Sequence, residues 1–93
     1  NILVSLGESG AVLVNKDDAL QFVPPKLKIK STVGAGDTMV AGIVYQLNKG
    51  QTISEAVRFG VACGSATTIN SRMQLGTLSG TKKLLNGIKM KKL

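Results

Sequence analysis

The sequence contains no histidine and no tryptophan, and it has one cysteine (Cys63) and two prolines. Without histidine, and with a single thiol, the chain can assemble neither a zinc site of His and Cys ligands nor a Ser-His-Asp triad, and no metal site is expected. A lone cysteine closes no internal disulfide, which fits a reducing, cytoplasmic setting. Cys63 lies among small residues with no histidine or lysine near it in sequence, so it reads as a buried, inert thiol rather than a nucleophile. Aromatic residues are equally scarce, Phe22, Tyr45 and Phe59 being the whole set. That argues against a base-stacking surface for single-stranded nucleic acid. No apolar run approaches the ~20 residues of a membrane span, and no basic, then apolar, leader opens the chain. No membrane partner is expected.

Acidic residues are also few: five Asp and Glu stand against twelve Lys and Arg, for a net charge of +7. A basic balance suits anionic partners such as nucleotides, sugar phosphates or nucleic acid. Lys26, Lys28 and Lys30 form one basic group, able to attract an anionic substrate or to protect a strand edge. Lys82, Lys83, Lys89, Lys91 and Lys92 form another, which reads as a solvated helix face and tail. What is abundant is apolar residues, 43% of 93, and glycine, eleven in all. This length and composition suit one small packed unit, residues 1–93, and not a disordered chain.

The first part of the chain reads as short strands. Residues 2–5 and 11–14 are apolar runs rich in branched side chains, separated by a Gly-containing turn, Leu6-Gly7-Glu8-Ser9-Gly10. A polar turn at residues 15–18 leads to a strand over 19–23, ended by Pro24-Pro25. Residues 27–30 alternate apolar and basic, as a partly exposed strand would. The opening run Ile2-Leu3-Val4 reads as an interior strand, and the chain as a piece of a longer protein.

Helical patterns follow. Met39, Val40, Ile43, Val44 and Leu47 carry the spacing of a buried helix face, and Gly50 reads as a left-handed stop. Thr52 or Ser54 can cap a second helix, with Glu55 in its first turn, running to about Ile69. Its small residues Gly60, Ala62, Gly64, Ser65 and Ala66 permit close approach of a neighbour or ligand. Residues 70–80 read as loop, and residues 82–91 as a terminal amphipathic helix with Leu84, Leu85 and Ile88 inward. Strands followed by helices place the chain in the α/β class.

The chemistry concentrates at Gly34-Ala35-Gly36-Asp37, where an apolar helix begins. A helix N-terminus presents unpaired amide N–H groups and the positive end of the macrodipole. Small residues there let an anion reach the backbone. No Gly-Lys-Ser/Thr follows, so this is not a Walker A loop. The three-glycine dinucleotide spacing is missing as well. Asp37, the single carboxylate of the loop, has two readings that spacing alone leaves open. It caps the helix, or it accepts the proton of a hydroxyl attacking a phosphoryl group held by the amides.

Ser31-Thr32-Val33-Gly34-Ala35-Gly36-Asp37-Thr38-Met39-Val40-Ala41-Gly42 resembles the second signature of the PfkB carbohydrate kinase family. Met-Val-Ala-Gly after the aspartate is most similar to the 1-phosphofructokinase and tagatose-6-phosphate kinase branch. Val4-Ser5-Leu6-Gly7-Glu8-Ser9-Gly10-Ala11 resembles the family's nucleotide-binding turn, and Phe59-Gly60-Val61-Ala62 the helix packed near the adenine. The resemblance implies the C-terminal, nucleotide-binding part of a ribokinase-like three-layer α/β/α fold. It implies ATP with Mg2+ as phosphoryl donor, and fructose 1-phosphate or tagatose 6-phosphate as acceptor. Asp37 would be the base, with Gly34, Ala35 and Gly36 forming an anion hole. Ser5, Leu6, Gly7, Glu8, Ser9 and Gly10 would hold ATP together with Gly36 and Asp37, and Val61 and Gly64 would line the base. Read without the signature, Ser5 to Gly10 is an ordinary hairpin turn and Val61 and Gly64 are helix packing. Ser31 stands where several relatives carry an aspartate near a monovalent-cation site, which implies no strong potassium site here. The implied partners are ATP and a sugar phosphate, with a homodimer for the full-length enzyme and no nucleic acid. The segment alone is expected to be inactive. The rival reading from charge is a basic nucleic-acid-binding or structural module, which would lose affinity steeply with salt.

Overall fold

A computed structural model describes residues 1–26, 34–68 and 84–93. The expected strand at 27–30, the loop at 70–80 and Ser31 lie outside the described residues. In chain order the elements are β1 (Ile2–Ser5), β2 (Ala11–Val14), β3 (Ala19–Val23), α1 (Ala35–Asn48), α2 (Ile53–Thr68) and β4 (Lys89–Lys92). The four strands form one antiparallel sheet in the order β1-β2-β3-β4. At the β2–β3 turn the Asn15 side-chain oxygen accepts from the amides of Asp17 (3.0 Å) and Asp18 (2.8 Å). An Asx turn of this kind explains the abrupt polar break between two apolar runs.

Alternation along the strands sends Ala11, Leu13 and Phe22 to one face of the sheet, where they are buried against Ala56, Val57, Val61 and Ala62 of α2, Ile43 of α1, and Ile88. The small residues of α2 serve a neighbouring helix. A Cβ added at Gly60 would lie 2.5 Å from Ile43 Cγ1 and 2.7 Å from the Met39 carbonyl oxygen, and one at Gly42 would lie 2.8 Å from Cys63 Sγ. The two helix backbones are therefore in contact through glycine. Gly60→Ala is expected to lower stability by about 2 kcal/mol by forcing the helices apart, read as a fall in Tm of the full-length protein. An unchanged Tm would mean that the helices are not held this closely.

α1 ends at Asn48, with Lys49 as its C-cap and Gly50 following in the left-handed region at φ 83°. Thr52 caps α2, accepting from the Glu55 amide at 3.2 Å.

Two expectations are corrected. The first concerns the buried face of α1. Ile43 is buried, but Val40 and Val44 are each 54% exposed and Leu47 is 44% exposed. The apolar arc of α1 is wider than its contact with α2, which uses Met39, Gly42 and Ile43, so the remainder of the arc faces outward. The second concerns the C-terminal residues, which do not continue as a helix. Helical residues at Leu84 and Leu85 give way to a turn at Asn86-Gly87, and residues 89–92 pair as a strand with β3, Lys91 opposite Gln21 and Met90 opposite Phe22. Without β4, the edge of β3 would carry a row of unpaired N–H and C=O groups. Completing that ladder outweighs the modest helix preference of Lys and Met. The Arg58 guanidinium donates to the Leu85 carbonyl at 2.9 Å and pairs with Glu55 at 3.5 Å, tying α2 to this segment.

Candidate nucleotide site

Gly34 sits at the N-cap of α1 with φ 80° and ψ −3°, a left-handed conformation that glycine adopts without steric cost. Lacking a side chain, it makes no side-chain cap, unlike a Ser or Asp at this position. Its carbonyl accepts from the Thr38 amide (2.9 Å) and the Thr38 hydroxyl (2.8 Å), which fixes the first turn. The amides of Ala35, Gly36 and Asp37 have no partner among the described residues. They are the orphan donors of a helix start, aligned with the macrodipole. Asp37 is exposed in this turn, and its carboxylate makes no hydrogen bond or ion pair among the described residues. It is not the cap, so the capping alternative drops out for these residues.

The β1–β2 connection is a single 3-10 turn, Gly7–Ser9, closed by Leu6 N–H to the Gly10 carbonyl (2.8 Å), Ser9 N–H to the Leu6 carbonyl (3.2 Å) and Gly10 N–H to the Gly7 carbonyl (3.0 Å). Three amides of the turn are thus consumed, while those of Gly7 and Glu8 have no partner among the described residues. Gly10 has φ 92° and ψ −131°, and a Cβ there would collide with the Phe22 carbonyl oxygen. The turn is therefore a hairpin connection drawn tightly over the end of β3.

Between this turn and the start of α1 lies an open cavity of about 690 Å³, within the ~300–1,000 Å³ usual for small-molecule sites. Ser5, Gly7, Glu8, Ser9, Gly10, Ala35, Gly36, Val61 and Gly64 all line it, so the two glycine segments and α2 converge on one volume. Leu6, Gly34 and Asp37 do not line it; Asp37 follows directly on Gly36 at its border. Gly64 also meets α1, since a Cβ there would lie 3.0 Å from the Ala35 carbonyl oxygen. Gly64 therefore both packs against α1 and lines the cavity.

Sequence reading missed Gln21, Val23, Pro24, Pro25 and Lys91, which line the same cavity; Ser65, read as a small residue open to a neighbour or ligand, and Lys26, read as able to attract an anion, line it too. Pro24-Pro25 was legible only as a strand end, and nothing local marks Lys91. Its position follows from the β3–β4 pairing. Cys63 is buried, as expected of an inert thiol.

Fold and site together define an α/β unit: a sheet backed by two close-packed helices, with a helix N-terminus and a glycine turn facing one cavity. The family model described as "pfkB family carbohydrate kinase" matches residues 1–78, and the chain belongs to that family. It is 45% identical over 83 residues to the ATP-dependent 6-phosphofructokinase isozyme 2 of Escherichia coli, covering 89% of this chain and 27% of that protein. It is 37% identical over 91 residues to the 1-phosphofructokinase of Borreliella burgdorferi, covering 97% of this chain and 29% of the relative. Among solved structures, phosphofructokinase-2 from Escherichia coli in complex with potassium matches with a TM-score of 0.85 and 44% identity, over 90% of this chain and 27% of that one. Ribokinase from Thermotoga maritima matches with a TM-score of 0.82 and 29% identity, over 90% and 29% respectively. The fold is therefore ribokinase-like, and the chain spans less than a third of the length of these relatives.

Proposed function

We propose that the full-length protein carrying this segment is a sugar-phosphate kinase that moves the γ-phosphoryl group of ATP to a hydroxyl of a ketohexose phosphate. One observation carries the reading. The amides of Ala35 and Gly36 and the carboxylate of Asp37, none with a partner among the described residues, share a helix start that borders a cavity lined by a second glycine turn. In this reading the nucleotide occupies the cavity, with its base against Val61 and Gly64 and its phosphates toward Gly7, Glu8 and Gly36. Leu6 and Gly10 shape the turn, and Ser5 and Ser9 offer hydroxyls. The hydroxyl oxygen of the acceptor forms a bond to the γ-phosphorus as the bond to the bridging oxygen breaks. Asp37 takes the hydroxyl proton, the amides of Ala35, Gly36 and Asp37 hold the phosphoryl oxygens, and ADP leaves. Left-handed Gly34 aims these amides. Magnesium would arrive with the nucleotide, bound to its phosphates.

The names of the relatives point to a fructose monophosphate as acceptor. We take fructose 1-phosphate as the first choice, with tagatose 6-phosphate as the alternative. Contacts to the sugar phosphate would come largely from the rest of the enzyme, so this segment by itself would be inactive. The test is an acceptor screen of the purified full-length protein with MgATP and fructose 1-phosphate, fructose 6-phosphate, tagatose 6-phosphate or a random oligonucleotide. The expected result is stoichiometric ADP and bisphosphate with one ketohexose phosphate. ATP turnover with none of the sugars, together with salt-sensitive oligonucleotide binding, would favour the basic binding module instead.

A further inference from the structure

Part of the cavity lining comes from β3, β4 and the residues after β3. Gln21 and Lys91 form a cross-strand pair on one face of the sheet, and both line the cavity, as does Lys26 beyond Pro24-Pro25. Lys91 and Lys26 are exposed and make no ion pair among the described residues, whereas the adjacent Lys92, on the other face of β4, pairs with Asp18 at 3.3 Å. Glu8 is the one carboxylate lining the cavity among the described residues, so two cations stand against a single anion in a partly enclosed space. Lysine carries donors only, and a cation at the rim of such a cavity favours an anionic group. Val61 and Gly64, which also line the cavity, are small and apolar and suit a planar base.

We propose that Lys91 is a nucleotide-binding residue of this kinase, its ammonium group pairing with the phosphate chain of the bound nucleotide while Lys26 adds to the same field. This rests on the kinase reading of the cavity. It also gives β4 a role beyond closing the sheet edge: the strand carries a charge from the far end of the chain to the nucleotide.

The experiment compares wild type, Lys91→Gln, Lys91→Arg and Lys89→Gln in the full-length protein. Calorimetry would use ADP and, separately, adenosine, and kinetics would use MgATP and the acceptor sugar. Lys89 lies two residues away on the same strand and does not line the cavity, so its substitution controls for strand stability and general charge. Lys91→Gln is expected to weaken ADP binding about tenfold, equal to about 1.4 kcal/mol, and to raise the KM for MgATP similarly. Adenosine affinity, the KM of the sugar phosphate and the Tm should stay at wild-type values. Lys91→Arg should recover most of the ADP affinity, and Lys89→Gln should match wild type. Equal weakening of ADP and adenosine, a change confined to the sugar KM, or an unaltered ADP affinity would each overturn the role of Lys91 while leaving the kinase standing. Absence of any nucleotide binding by the wild-type protein would instead remove the kinase reading, and this proposal with it.

Discussion

Replacing Asp37 with asparagine in the full-length protein is expected to lower the kcat of the proposed kinase reaction by about 10³-fold, within the ~10²–10⁴ that a general base contributes, while ADP affinity stays within about twofold. The substitution is nearly isosteric and the site is exposed in the first turn of α1, so the fold is not at stake. What disappears is the proton acceptor. The amides of Ala35 and Gly36 remain, and they, not the carboxylate, would meet the phosphates. The mutant should therefore load nucleotide and fail to turn it over, the signature of an interaction made in the transition state. Single-turnover assays of ADP release, alongside calorimetry with ADP, separate the two quantities. A kcat within tenfold of wild type would remove Asp37 from the chemistry. A parallel loss of ADP affinity would make it a ligand of the nucleotide rather than a base.

Gly10→Ala should cost about 3 kcal/mol of stability, the upper end of what a strained backbone position costs, and should disable nucleotide binding as well. The glycine combines φ 92° and ψ −131°, a region closed to residues with a side chain. Its missing Cβ is also where the Phe22 carbonyl passes. The added methyl cannot be relieved by a rotamer change, because its obstacle is backbone belonging to β3, and Phe22 is itself fully buried in the core. Relief requires the β1–β2 turn to lift off β3, which would move Gly7, Glu8 and Ser9 out of the cavity wall they form. Chemical denaturation of the full-length mutant reads the first effect and ADP titration the second. A mutant with wild-type stability would mean that the turn is not drawn over β3 as described.

Most of the candidate site was legible because its determinants are local. Gly34-Ala35-Gly36-Asp37 before an apolar helix specifies a helix start with open amides whatever surrounds it, and the structure places α1 from Ala35. The β1 and β2 strands and their glycine turn were legible for the same reason, since branched runs separated by glycines leave few alternatives. The failures were non-local. The residues after Gly87 have a composition compatible with a helix, and only the unpaired edge of β3, some 70 residues earlier in the chain, draws them into a strand. The apolar spacing of α1 said that the helix has a sticky side but not how much of it a neighbour covers.

The sequence by itself determined the two helices, the glycine turns and the identity of the one acid in the first turn of α1, because each follows from short-range sterics and backbone hydrogen bonding. Tertiary structure alone decided that both glycine turns face a single cavity, that Gly60 meets Ile43 rather than a ligand, and that Lys91 stands on the cavity wall. Those outcomes depend on which strand edge is left unpaired and which helix faces fit closely enough to exclude water. No window of neighbouring residues contains that information.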